Sequence, residues 1–198
     1  MTFPKLFASK TVHALCAVAA TLALSSGVAL AEEKKPCPVD FPKPNAQHAW
    51  LQQFVGEWDS DVELMEPGSN TPIKKKGSES VRAVGGFWII SESKGDMMGT
   101  PFTGVQTLGY DTVKQKYVGT WVDSMTDYMW QYEGSVDPTG KILTLDSEGC
   151  CPMKPGETIK AKDVIEVQDK NHKVFKSFML GPDGQWHQVM TVRATRKQ

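Results

Sequence analysis

Catalytic punctuation is missing from this chain. No serine, histidine and acid stand in a usable context for a nucleophilic triad, no glycine loop is shaped for phosphate, and no cysteine or histidine spacing fits zinc. Hydrolase, nucleotide-binding and zinc-enzyme readings therefore have no residues to carry them. The acids Asp59, Asp61, Glu63 and Glu66 fall mostly on one solvent-facing side, which leaves a glycosidase-type carboxylate pair unsupported. Positive charge is not in excess either. The 22 Lys and Arg residues against 23 Asp and Glu residues give a formal charge of −1, where a nucleic-acid partner would need a strongly basic face. No unbroken apolar run reaches the ~20 residues of a membrane-spanning helix, because Ser25, Ser26 and Gly27 interrupt the stretch from Ala14 to Leu30. Beyond Gly56 there is no convincing amphipathic helix and no long internal repeat.

What is present begins with a leader. Lys5 and Lys10 precede the apolar stretch, which ends in Ala29-Leu30-Ala31 and is followed by Glu32-Glu33. A basic start, an apolar middle and small residues before the cut are what signal peptidase requires, so residues 1–31 are read as a signal peptide cleaved after Ala31. The mature chain is then expected in the periplasm or outside the cell, with its formal charge moved from −1 to −3 by loss of the two lysines. Residues 32–44 form an arm in which Pro36, Pro38, Pro42 and Pro44 exclude regular helix. Three cysteines remain, Cys37, Cys150 and Cys151, in a compartment that permits disulfides. Adjacent cysteines close only a strained ring, so Cys37 paired with Cys150 or Cys151 is the easier bridge, with one thiol left over.

From residue 45 to 198 the pattern is that of a single all-β domain with one short helix at its start. Asn45 offers an N-cap, and Trp50, Leu51, Phe54 and Val55 fall on one face at helical spacing, up to the stop at Gly56. Ten strands are expected, near 57–65, 75–84, 87–94, 102–110, 115–124, 127–136, 141–149, 158–168, 172–181 and 185–196. Turn chemistry separates them, as in Gly85-Gly86, Asp137-Pro138-Thr139-Gly140 and Pro182-Asp183-Gly184. Short connections force antiparallel neighbours, and an up-and-down order of about ten strands is best finished by closure into a barrel with the helix plugging one end. Alternation places Trp58, Val62 and Leu64 inward at the start, and Trp186, Met190, Val192 and Ala194 inward at the end, with His187 outside.

The join HAWLQQFVGEWDSDVEL, the hairpin RAVGGFWIISES, the block GVQTLGYDTVKQKYVGTWVDSMT and the final VMTVRATRK together resemble the secreted bacterial family called domain of unknown function 1579, from about His48 to Lys197. That family looks like a calycin-type barrel, similar to lipocalins, fatty-acid-binding proteins and the haem protein nitrobindin. The resemblance implies a ligand cavity and names no ligand, since fold kinship alone does not carry function.

Within such a barrel six residues are expected to line the cavity: Trp58, Arg82, Trp121, Asp123, Trp130 and Met190. Asp123 shares a strand face with Trp121 and is either a polar hook in an apolar cavity or a rim residue that caps the next turn. Arg82, turned inward, would pair with a ligand carboxylate; with Val81 and Ala83 inward instead, it is solvated or pairs with an acid such as Glu92. Haem of the nitrobindin kind needs an inward histidine on the closing strand, and the alternation supplies Val192 there, so no cofactor is expected unless a bulge shifts the register. His48 and His172 read as a polar residue of the plug helix and a turn residue. Nothing spaces Cys150, Cys151, Met153 and the other methionines for copper. The sequence thus reads as an exported barrel that binds a small apolar or amphipathic molecule, without catalytic residues. A barrel filled by its own side chains and acting as an interaction module, or a haem protein or other enzyme using the same cavity, stays open at this point.

Overall fold

About two helical turns lead into ten strands that close on themselves. The computed structural model describes residues 40–65, 69, 71–97, 99–150 and 156–198; the leader, its cleavage site, most of the proline-rich arm, Cys37 and Cys151 lie outside the described residues. Pro42–Gln198 form one unit. The order is α1 (Ala46–Gln52), β1 (Gly56–Leu64), β2 (Ile73–Val84), β3 (Trp88–Met97), β4 (Thr100–Asp111), β5 (Lys116–Asp123), β6 (Trp130–Val136), β7 (Ile142–Cys150), β8 (Thr158–Val167), β9 (His172–Leu180) and β10 (Trp186–Arg196). Each strand pairs antiparallel with its sequence neighbours, and β1 joins β10 to complete the ring. The ten strands expected from alternation and turn chemistry are all present. β6 starts at Trp130, three residues later than expected, because the Asp123 carboxylate accepts the amides of Met125 (2.8 Å) and Thr126 (3.0 Å) and curls the chain away from β5.

The plug helix forms where its caps allow. The Asn45 side chain accepts the amides of Gln47 and His48, both at 3.1 Å, while His48 Nδ1 accepts the Asn45 amide at 3.1 Å, so a histidine completes the capping box. His48 is thus a polar residue of the plug helix, as expected, but a buried one, and its ring packs edge-on against Phe87 and Tyr110. Leu51 and Phe54 drive into the barrel end, where Trp58 joins them and donates its indole hydrogen to the Phe54 carbonyl at 2.8 Å. Hydrogen bonds bolt the helix segment to the ring. The Trp50 indole donates to Gly140 O (2.8 Å), Tyr117 Oη to Gln47 O (3.2 Å), and Arg196 to the carbonyls of Val55 and Gln53 (2.6 Å each). Gly56, at φ 135°, makes the turn from helix to β1, and a Cβ there would meet the Arg196 guanidinium.

Two face assignments change, both at the start of β10. A bulge between Gln188 and Met190 shifts β10 by one residue, so Met190, Val192 and Ala194 face inward as expected but Trp186 does not. Trp186 lies on the outer wall, with the Lys162 ammonium 4.3 Å from its ring. The same shift brings His187 opposite Met179, on the side of the hairpin that continues the inner wall.

Candidate functional site

Above the plug the barrel is hollow. The cavity holds about 430 Å³, within the usual range for small-molecule sites. Its floor is Phe54 with the ion pair Glu79–Lys173. Its middle walls are Ser91, Gln106, Leu108, Tyr132, Asp163 and Phe175, and its mouth carries Met97, Phe102, Trp121, Asp123, Trp130 and Met190.

At the mouth two tryptophans stand side by side, Trp121 of β5 directly opposite Trp130 of β6. Each occupies a seat that a glycine leaves open: the Trp121 ring covers Gly104 of β4, and the Trp130 ring covers Gly149 of β7, with Tyr128 against the same glycine. A Cβ at either glycine would collide with the indole, so these positions fix which way the rings lie. Phe102 stacks on Trp121 with centroids 6.3 Å apart, and Tyr128 meets Trp130 edge-on at 5.5 Å. Asp123 ends β5 at the rim of the cavity, as one of the two readings of it expected. It lines the cavity, accepts the Trp121 indole hydrogen at 2.9 Å, and caps the turn after β5.

Deeper down the walls are polar in two places. Lys173 reaches across the barrel to Glu79 at 2.5 Å, Ser91 donates to the same carboxylate, and the ammonium lies 4.7 Å from the Trp58 ring. On the other wall Tyr132 donates to Asp163 at 2.6 Å, Ser177 hydrogen-bonds the same carboxyl, and Gln106 hydrogen-bonds the phenol. Burial pushes the Asp163 carboxyl above its ordinary range, against the opposing pull of the Tyr132 and Ser177 hydrogen bonds. Burial, then the neighbouring Asp163 charge, pushes the Tyr132 phenol well above its own.

Four of the six residues expected to line the cavity therefore do so: Trp121, Asp123, Trp130 and Met190. Trp58 and Arg82 do not. Trp58 sits beneath the floor, with the Arg196 guanidinium 4.1 Å from its ring, as part of the plug packing. Arg82 is exposed on the outer wall because its neighbour Val81 takes the inward, buried position on β2. His187 is bound through Nε2 to Asp183 at 3.0 Å, its side chain more than half exposed, on the hairpin beyond the mouth. Cys150 ends β7 on an exposed position. The sequence reading missed Glu79, Tyr132, Asp163 and Lys173 as cavity residues. Asp163 had a signal, since it interrupts the odd-numbered apolar row Ile159, Ala161, Ile165, Val167; Lys173 had none, because Val174, Phe178 and Leu180 make the opposite face of β9 look like the inner one.

The family described as "Protein of unknown function (DUF1579)" matches residues 43–196. The chain belongs to DUF1579. No curated protein matches this DUF1579 chain in sequence. Among solved structures the DUF1579 barrel is similar to Rv2717c from M. tuberculosis, with 12% identity and a TM-score of 0.57, covering 79% of this chain and 100% of that one. It is also similar to the S-type phycobiliprotein lyase CPES from Guillardia theta, with 11% identity and a TM-score of 0.51, covering 78% and 99%. At such identities these likenesses show the DUF1579 fold and nothing finer.

Proposed function

We propose that the barrel carries a small apolar or amphipathic molecule in its cavity, in an exported protein without catalytic residues of its own. The observation that supports this reading is the cavity of about 430 Å³ above a sealed floor, with two glycine-seated tryptophans at its mouth. Burial of apolar ligand surface between Phe102, Trp121, Trp130 and Met190 supplies affinity, and the few polar groups of the wall set orientation. A hollow of this size also weighs against a barrel packed solid with its own side chains. The leader ending in Ala29-Leu30-Ala31 supports export to the periplasm or beyond.

Native mass spectrometry of protein purified without denaturation tests both parts. The expected result is a mature chain that begins at Glu32 and carries an additional mass of a few hundred daltons. An absorption spectrum on the same sample separates an organic ligand from haem. Trp121→Ala should then weaken uptake of a hydrophobic probe dye more than it lowers stability. A folded variant with unchanged uptake makes Trp121 a packing residue only and removes the mouth from the site.

A further inference from the structure

The lining also constrains the head group that a ligand can bring. Its lysines all have carboxylate partners: Lys173 with Glu79 at 2.5 Å, Lys75 with Asp96 at 2.7 Å, Lys94 with Glu92 at 2.8 Å, and Lys76 with Asp61. No arginine lines the cavity among the described residues. Two of its carboxyls, by contrast, meet no cation among the described residues. Asp123 is held by an indole and two backbone amides at the mouth, and Asp163 by Tyr132 and Ser177 halfway down. A carboxyl offers about four acceptor sites, so the two hydrogen bonds to Asp163 leave acceptor capacity on a side chain that is 94% buried, yet part of the cavity wall.

A ligand carboxylate entering this space would be desolvated, would find no unmatched cation, and would face both acids at low dielectric. A hydroxyl or ammonium meets the reverse situation. It finds an acceptor lacking a positive partner, and its hydrogen bond to a carboxylate as buried as Asp163 is of the strong class. Resting on the ligand-binding reading above, we propose that the cavity selects non-anionic amphiphiles with a hydrogen-bond-donating head, an amine or an alcohol, received by Asp163. The apolar tail then extends past Phe175 toward Trp121 and Trp130 at the mouth. The raised position of the Asp163 carboxyl fits an acid whose charge lacks compensation until a donor arrives.

The test is a titration of the mature protein with decylamine and decanoate below their micelle concentrations and decanol below its solubility limit, followed by tryptophan emission. Decylamine and decanol should bind at least about tenfold more tightly than decanoate, and Asp163→Asn should remove most of the lead of decylamine while leaving decanoate unchanged or improved. The wild-type ranking stands even if the variant folds poorly. Decanoate binding as tightly as decylamine overturns the proposal, and so does a folded Asp163→Asn protein that keeps the amine preference. If all three bind alike, the cavity reading survives and this inference alone is lost; if none binds and no mass co-purifies, both fall.

Discussion

Lys173 and Glu79 stand on β9 and β2, with β10 and β1 between them, so their contact is a chord across the inside of the ring. Replacing Lys173 with Met keeps the aliphatic stem and removes the charge. Glu79 is then left 83% buried with the Ser91 hydroxyl as its one remaining partner among the described residues. Breaking a buried pair from one side costs about 3–5 kcal/mol, and losing the cation over Trp58 adds about 0.5–2 kcal/mol. The residual exposure of both side chains and the retained Ser91 bond pull toward the lower end, giving about 3 kcal/mol for Lys173→Met. Removing both charges, Glu79→Gln with Lys173→Met, leaves no orphaned ion and should cost about 1 kcal/mol, so the coupling between the two sites is about 2 kcal/mol or more. Urea unfolding of wild type, both single variants and the double variant, read by tryptophan emission, measures every corner of that cycle. If the two single losses add to the double loss within about 0.5 kcal/mol, the chord is not an energetic unit and the reasoning is wrong.

Two further outcomes are expected. Arg196→Ala strips hydrogen bonds from the carbonyls of Gln53, Val55 and Lys170; stability should fall by about 2–4 kcal/mol and the amides of α1 should exchange faster, whereas unchanged α1 protection would show that the helix is held by its apolar face alone. Asp163 supplies a pH test whose sign follows from its raised carboxyl: the folded chain holds that proton more tightly than the unfolded chain, so the stabilisation is full below about pH 4 and is lost as pH rises through the raised value. Asp163→Asn lacks that loss, so its stability relative to wild type should climb with pH above about 4 and then level off; a flat difference over that range would contradict the burial argument.

The ring was legible because its first and last strands alternate cleanly and the strands are separated by turn residues that allow few conformations. Leu51 and Phe54 reveal the plug by helical spacing, and Trp121 with Trp130 reveal the aromatic mouth by sharing strand faces. Two kinds of information were not local. The face of Trp186 and His187 depends on a bulge at Gln188–Met190 that no residue type announces. The partnership of Glu79 with Lys173 joins positions 94 residues apart whose strands both have mixed faces, so neither side chain stands out until the barrel brings them together. Arg82 misled for the matching reason, since on β2 both faces carry charge and only closure decides which one is inside.

The seam between β1 and β10 gives the barrel a clock. Arg196 grips the carbonyl of Val55 across 141 residues of chain, and the first strand has no partner on that side until the last one arrives. Such long-range pairing places the domain among slow folders, with closing times of milliseconds to seconds. A chain stopped short of Trp186 would leave β1 and β9 each bare on one flank with the Glu79–Lys173 chord strung across the gap, a sticky open sheet instead of a container. Possession of a cavity is thus a property conferred by the final eleven-residue strand, all at once.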